Sequence, residues 1–196
     1  MSCSCITTFS SLADYGRVLA IDQRHPECMC EYTSVSPHSP GRVATDEVLI
    51  RLLIAPQHGR KGKPRAASLT DAERNGLSVF REKFATDDII RTAATGIVQR
   101  ARNNGVEHAG VFGVLRIAYE SVKFCRAEED IDPCYCVYDT ALAENISHGE
   151  IFQRIAECQE SLQEERRRQL FILASPTFLP VDQFRNGLLR DLAPRR

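Results

Sequence analysis

Hydrophobic and polar positions follow a helical period in one long stretch, and shorter apolar runs flank it on both sides. From Thr86 onward, Ile89, Ile90, Ala93, Ala94, Ile97, Val98 and Ala101 recur at one-face helical spacing. Asp87 and Asp88 suit the positive N-terminal end, and Asn103-Asn104-Gly105 supplies a left-handed C-cap, so a helix is predicted over 86–103. Residues 48–54 (VLIRLLI) form a branched run between Asp46 and Pro56 and read as a largely buried strand. Arg51 is a charge inside that run and needs a partner or the sheet edge. Residues 109–124 alternate β-branched and aromatic residues with smaller or polar ones, and an acidic loop over 126–132 separates them from 134–138. The two segments read as an antiparallel hairpin with a long tip.

The remaining elements carry weaker signals. Thr70-Asp71-Ala72-Glu73 has capping-box spacing but meets Asn75-Gly76 at once, and 77–80 reads as a short strand or packed turn. Ser147-His148-Gly149-Glu150 repeats the capping box ahead of an apolar line through Ile151, Ile155, Cys158 and Leu162, which predicts a second long helix. A final strand is expected at 170–173 and a short closing helix over 181–192. Before residue 46 no period is sustained: Pro26, Pro37 and Pro40 interrupt, and only 17–21 suggests a short strand. The expected fold class is α+β: a mixed or mostly antiparallel sheet with two main helices packed on a face. That domain spans 46–196, preceded by an irregular Cys/Pro/Ser-rich arm over 1–45.

Composition narrows this only a little. At 196 residues, 43% hydrophobic and 26% charged, the chain has the makeup of one globular domain. A formal charge of −1 confines any polyanion contact to a local patch. No apolar run approaches the ~18 residues a membrane helix needs, and the first residues lack a secretory n-region. A cytoplasmic location is therefore expected, with thiols reduced and disulfides less expected than free thiols or metal ligands.

Three sets of residues suggest chemistry. The first is the cysteines, which include three Cys-x-Cys pairs: Cys3/Cys5, Cys28/Cys30 and Cys134/Cys136. A zinc site pinning the arm to the hairpin would use Cys28, Cys30, Cys134 and Cys136. One-residue spacing is tighter than the usual zinc knuckle, and packing as small apolar fillers is the alternative. His25 adds a His-x-x-Cys-x-Cys cluster. The second set is the loop 57–65, where His58, Arg60, Lys61, Lys63 and Arg65 surround two glycines. Arg60, Lys61, Lys63 and Arg65 would hold phosphate oxygens, although GRKGKPR is no P-loop. The third is a scattered polar set of Arg51, His58, Ser68, Glu120 and His148. In an enzyme acting on a nucleotide or phosphoester, Arg51 would hold the anion and His58 or His148 would move protons.

Four short motifs, with Arg51 in its strand, Pro56-Gln57-His58, Gly76-Leu77-Ser78-Val79 and Glu144-Asn145-Ile146-Ser147-His148-Gly149-Glu150-Ile151, follow one another in order. In this the chain resembles a loose group of small uncharacterised bacterial proteins, over about residues 46–155. That resemblance implies no activity. The leading functional expectation is a non-enzymatic component of a prokaryotic multi-protein system that binds a partner protein or a phosphate-bearing polyanion, nucleic acid or nucleotide, through the basic loop. An enzyme using Arg51, His58 and His148 is the alternative, and a zinc-stapled structural protein the third. No cofactor other than that zinc is expected.

Overall fold

The computed structural model describes residues 5–12, 16–127, 133–156 and 158–194. Its centre is a six-stranded, wholly antiparallel sheet built from β1 (Val48–Ala55), β4 (Leu77–Arg81), β5 (Gly110–Ala118), β6 (Tyr135–Tyr138), β7 (His148–Gln153) and β8 (Phe178–Pro180). The spatial order is β6-β7-β4-β1-β5-β8, and β2 (Gly59–Arg60) and β3 (Lys63–Pro64) form a separate small hairpin. The α+β class follows, with the antiparallel sheet expected from the sequence.

Strand alternation divides the core into layers. Leu49 and Leu53 of β1 join Leu77, Val79, Leu115, Ile117 and Ile151 on one face, where Leu170 and Ala174 of helix α5 (Glu160–Ala174) close the layer. Ile50, Leu52, Ile54 and Phe80 face the other way, against Ile90, Ala94 and Val98 of helix α3 (Asp87–Asn103). A bulge makes both layers fit. Leu53 pairs with Gly113 but Ile54 with Val111, so Phe112 is left over and turns to the α5 face. Helix α3 starts where the sequence places it: the Thr86 hydroxyl accepts the Ile89 N–H at 3.3 Å.

Several elements differ from expectation, each for a local reason. The chain leaves the sheet at Ala118, and Tyr119–Phe124 is a short helix, α4, whose Tyr119 and Val122 meet the core at i,i+3 spacing. β5 and β6 are therefore not a hairpin: β5 pairs with β1 and β8, and β6 with β7. The residues after Ser147 form β7 rather than a helix. Adjacent Ile151 and Phe152 enter cores on opposite sheet faces, which a strand allows and a single helical stripe does not. The Ser147 hydroxyl accordingly donates to Asn145 Oδ1 at 2.7 Å instead of capping a helix. Residues 170–173 are the end of α5, and 181–192 fold as separate 3₁₀ turns, Phe184–Gly187 and Arg190–Leu192.

The described part of the arm is folded and docked on the sheet. It contains helices α1 (Cys5–Ser11) and α2 (Arg17–Arg24), so 17–21 is helical and buries Val18 and Ile21 at i,i+3. Phe9, Val18, Ile21 and Val35 form a third core with Tyr138 and Phe152, in which the Phe9 and Tyr138 rings meet edge-on at 4.9 Å. Disulfides join Cys5 to Cys30 and Cys28 to Cys136, where free thiols had been expected. Glu31 accepts the Val137 N–H and pairs with Lys123 Nζ at 2.7 Å, so a charged side chain covers the outer edge of β6. No helix among the described residues is long and apolar enough to cross a membrane.

Candidate active site

β1 and β4 pair only at Leu49↔Arg81 and Ile50↔Phe80. Where backbone pairing stops, the Arg51 side chain takes over. Its Nη1 donates to the Ser78 carbonyl at 3.0 Å and its Nη2 meets Asp71 Oδ2 at 2.8 Å. Arg51 is thus the partnered charge its apolar strand demanded. Burial pushes its guanidinium pKa down, and Asp71 works against that shift. One N–H, at Nε, has no acceptor.

Just beyond β1 the chain turns through the cis Ala55–Pro56 peptide, and His58 folds back onto the strand it has left. The His58 N–H donates to the Ile54 carbonyl at 2.8 Å, and the Ile54 N–H donates to His58 Nδ1 at 3.0 Å. Nδ1 is therefore the acceptor and Nε2 carries the proton, a tautomer assigned from its hydrogen bond. Burial, helped by the Arg51 charge, pushes the His58 pKa down to about 4, so the ring is neutral at physiological pH.

His148 opens β7, with Nδ1 at 3.1 Å from the Thr140 carbonyl and 2.9 Å from the Thr140 hydroxyl. A carbonyl can only accept, so Nδ1 carries the proton and Nε2 keeps its lone pair. The tautomer is the reverse of that of His58.

Arg51, His58 and His148 line one open cavity of about 770 Å³ between the sheet and α3. Its apolar walls come from Leu52, Ile54 and Phe80 below and Ile89, Ala93 and Ile97 above. Asp88, Thr92, Gly96 and Arg100 follow at steps of four along α3, beside the stripe that packs on the sheet. Glu144 and Asn145 come from the loop before β7. This size, with an apolar lining and a few convergent polar groups, suits a small organic ligand.

The three residues assigned proton-transfer and anion-holding roles from sequence thus meet, whereas Ser68 and Glu120 lie outside the lining. Sequence reasoning missed Asp71, Asn145 and Arg100. Asp71 has the signal of a strand Arg needing a carboxylate, and Arg100 that of a polar stripe at spacing four. Asn145 stands inside the Glu144–Ile151 motif, but nothing in the sequence marks it as a cavity residue.

The basic loop folds as a small hairpin. Lys61 (φ 52°) and Gly62 (φ 73°) are both left-handed, the backbone of a two-residue hairpin turn, and Arg60 pairs with Lys63. The Arg65 N–H closes it onto the His58 carbonyl at 3.0 Å. Arg60, Lys61, Lys63 and Arg65 are exposed, and none forms a side-chain hydrogen bond or ion pair among the described residues. They do not line the cavity. The acidic loop residues 128–132 lie outside the described residues.

The expected zinc ligands do not converge. Cys28 is bonded to Cys136 and Cys30 to Cys5. Cys134 is a buried thiol packed in the α5-side core, while Cys136 belongs to the arm's core. Cys134 lies one residue before β6 begins, outside the strand alternation that would put it on the same face as Cys136. A different group, Cys5, His25 and Cys30, has its ligand atoms within 4.8 Å of one another and could hold a metal. Cys3 lies outside the described residues. Comparison with known protein families, with curated proteins and with solved structures found no match.

Proposed function

We propose that the protein is an enzyme acting on a small phosphoester or nucleotide-like molecule bound between the sheet and α3. The observation that carries this is the meeting of Arg51, His58 and His148, far apart in sequence, on one cavity of ligand size. Two imidazoles in opposite tautomers give two complementary tools. Nε2 of His148 is a base, oriented by the Thr140 carbonyl, and Nε2–H of His58 is a neutral donor that stays protonated on that nitrogen across physiological pH. Arg51 supplies positive charge at the cavity wall, which favours an anionic group on the ligand. The apolar walls hold the organic body of the ligand.

The test begins with thermal shift of the full chain against nucleotides and phosphate monoesters, followed by turnover assays on whatever raises Tm. His148→Ala should keep the wild-type circular dichroism and lower kcat by about 10²–10⁴, the usual contribution of a positioned base. No shift across the panel, or full turnover in His148→Ala, overturns the reading.

A second reading, binding of a polyanion or an acidic partner protein through β2–β3, rests on the four exposed and unpaired cations. Replacing Arg60, Lys61, Lys63 and Arg65 by Ala should abolish salt-sensitive retention on single-stranded nucleic acid, and unchanged retention ends that reading.

A further inference from the structure

We propose that Cys5, His25 and Cys30 form a redox-gated zinc site, closed as a disulfide when oxidised and opened to the metal when a thiol reductant cleaves the Cys5–Cys30 bond. The three residues come from three places: Cys5 begins α1, His25 is the C-cap just after α2, and Cys30 lies in the turn segment Pro26–Tyr32. Their ligand atoms already lie within 4.8 Å of one another, a span that one tetrahedral ion bridges. His25 is half-buried and oriented, since Nε2 is 3.0 Å from the Thr8 hydroxyl, and Nδ1 remains for the metal.

The two states exclude one another, because sulfurs bonded to each other are not thiolates. Two monothiols reduce the disulfide and leave as their own disulfide. Binding of Zn²⁺ by the freed Cys5 and Cys30 then releases their two thiol protons to solvent, so one ion replaces one covalent bond. The fourth coordination position stays with water or an added ligand. Either way α1 is tied to the segment before β1, by sulfur–sulfur bonding under oxidation and by metal under reduction. The other disulfide, Cys28–Cys136, has no histidine grouped with it among the described residues.

The experiment uses the full chain, reduced and freed of reductant without oxygen, then titrated with Zn²⁺ against a chromogenic chelator. Reduced protein should take up about one equivalent and the oxidised protein under about a tenth, since only thiolates ligate. His25→Gln leaves every cysteine in place and should weaken binding at least about tenfold, as loss of a direct ligand exceeds loss of an outer one. Uptake under about a tenth of an equivalent by the reduced protein, or wild-type affinity in His25→Gln, overturns the proposal. Should His25→Gln fail to fold, the reduced wild-type protein loaded with Co²⁺ decides alone. Charge-transfer absorption with the intensity of two thiolates supports the site, and that of none or of four refutes it.

Discussion

His58 shows how one residue's surroundings become a property of the whole fold. Burial and the neighbouring Arg51 hold its pKa near 4, against an ordinary value of 6.5, so between those values the unfolded chain binds a proton that the folded chain refuses. Stability contributed by this group is complete above about 6.5, drains away as pH falls, and is gone below about 4. A fall from 6.5 to about 4 corresponds to roughly 3 kcal/mol. His58→Asn is the informative comparison, because its Oδ1 replaces Nδ1 as acceptor for the Ile54 N–H without titrating. Urea unfolding at several pH values should show wild type gaining stability over His58→Asn by about 2–3 kcal/mol between pH 4 and pH 7. A pH-independent difference would mean that the ring is solvated in the fold. The same neutrality leaves His58 a fixed hydrogen-bond donor, so any pH profile of turnover near neutrality belongs to a group other than His58.

At the scale of elements, α3 has two jobs on adjoining stripes. Ile90, Ala94 and Val98 hold it to the sheet, while Asp88, Thr92, Gly96 and Arg100 roof the cavity. Gly96 sits mid-helix, where glycine is the weakest ordinary helix former, yet a Cβ built there meets only Arg100 Nη1 at 3.6 Å. Packing does not require the glycine; the space above the cavity is its evident use. Gly96→Ala should therefore raise stability by about 0.5–1 kcal/mol, as measured by chemical denaturation, and Gly96→Leu should fill the cavity and weaken any ligand that stabilises wild type. A destabilised Gly96→Ala would show that the helix needs the glycine for a contact. Legibility follows the same division. α3 was readable because it carries one unbroken helical period, and β1 because it is a short branched apolar run, each with clear end signals. β7 was not, because an Ile-Phe pair preceded by a capping-box spacing fits a helix start as well as a strand crossing between two cores. The candidate site was readable in its residue types at 51, 58 and 148. Its assembly was not, since the split between β1 and β4 and the return of the chain at Pro56 are tertiary facts. The pairing of the cysteines escaped for a different reason: compartment reasoning stood in for geometry that spacing does not contain.

The whole molecule is joined at Arg81. This side chain at the end of β4 is 1% exposed and forms a two-pronged contact with Glu47, Nε to Oε2 at 2.8 Å and Nη2 to Oε1 at 2.6 Å. It also donates to the carbonyls of Gly41, at 2.5 Å, and Arg42, at 3.0 Å, and lies 3.3 Å from Asp139 Oδ1. The arm, the entry to β1, the centre of the sheet and the exit from β6 therefore share one buried cation. A buried pair is a poor source of net stability, but deleting one partner strands the others in low dielectric. In Arg81→Met, Glu47 and Asp139 stay buried without their guanidinium, and about 3–5 kcal/mol should be lost at neutral pH. The pH dependence gives a second check. Burial raises the Glu47 pKa, yet the Arg81 contacts, the Ala44 N–H bond and the Lys83 charge together more than reverse this, and its folded pKa lies below the ordinary carboxylate value. The stability it contributes is present above the unfolded pKa and lost as pH falls through the folded one. The deficit of Arg81→Met should consequently be greatest near neutrality and narrow in acid, where protonated carboxyls no longer need the cation. Adding Glu47→Gln to Arg81→Met should restore part of the loss rather than add to it, because the second change removes a charge the first left unpaired. Strictly additive losses in denaturant unfolding would mean that the contacts act separately, and the arm and sheet would then be held together mainly by their apolar core and the Cys28–Cys136 bond.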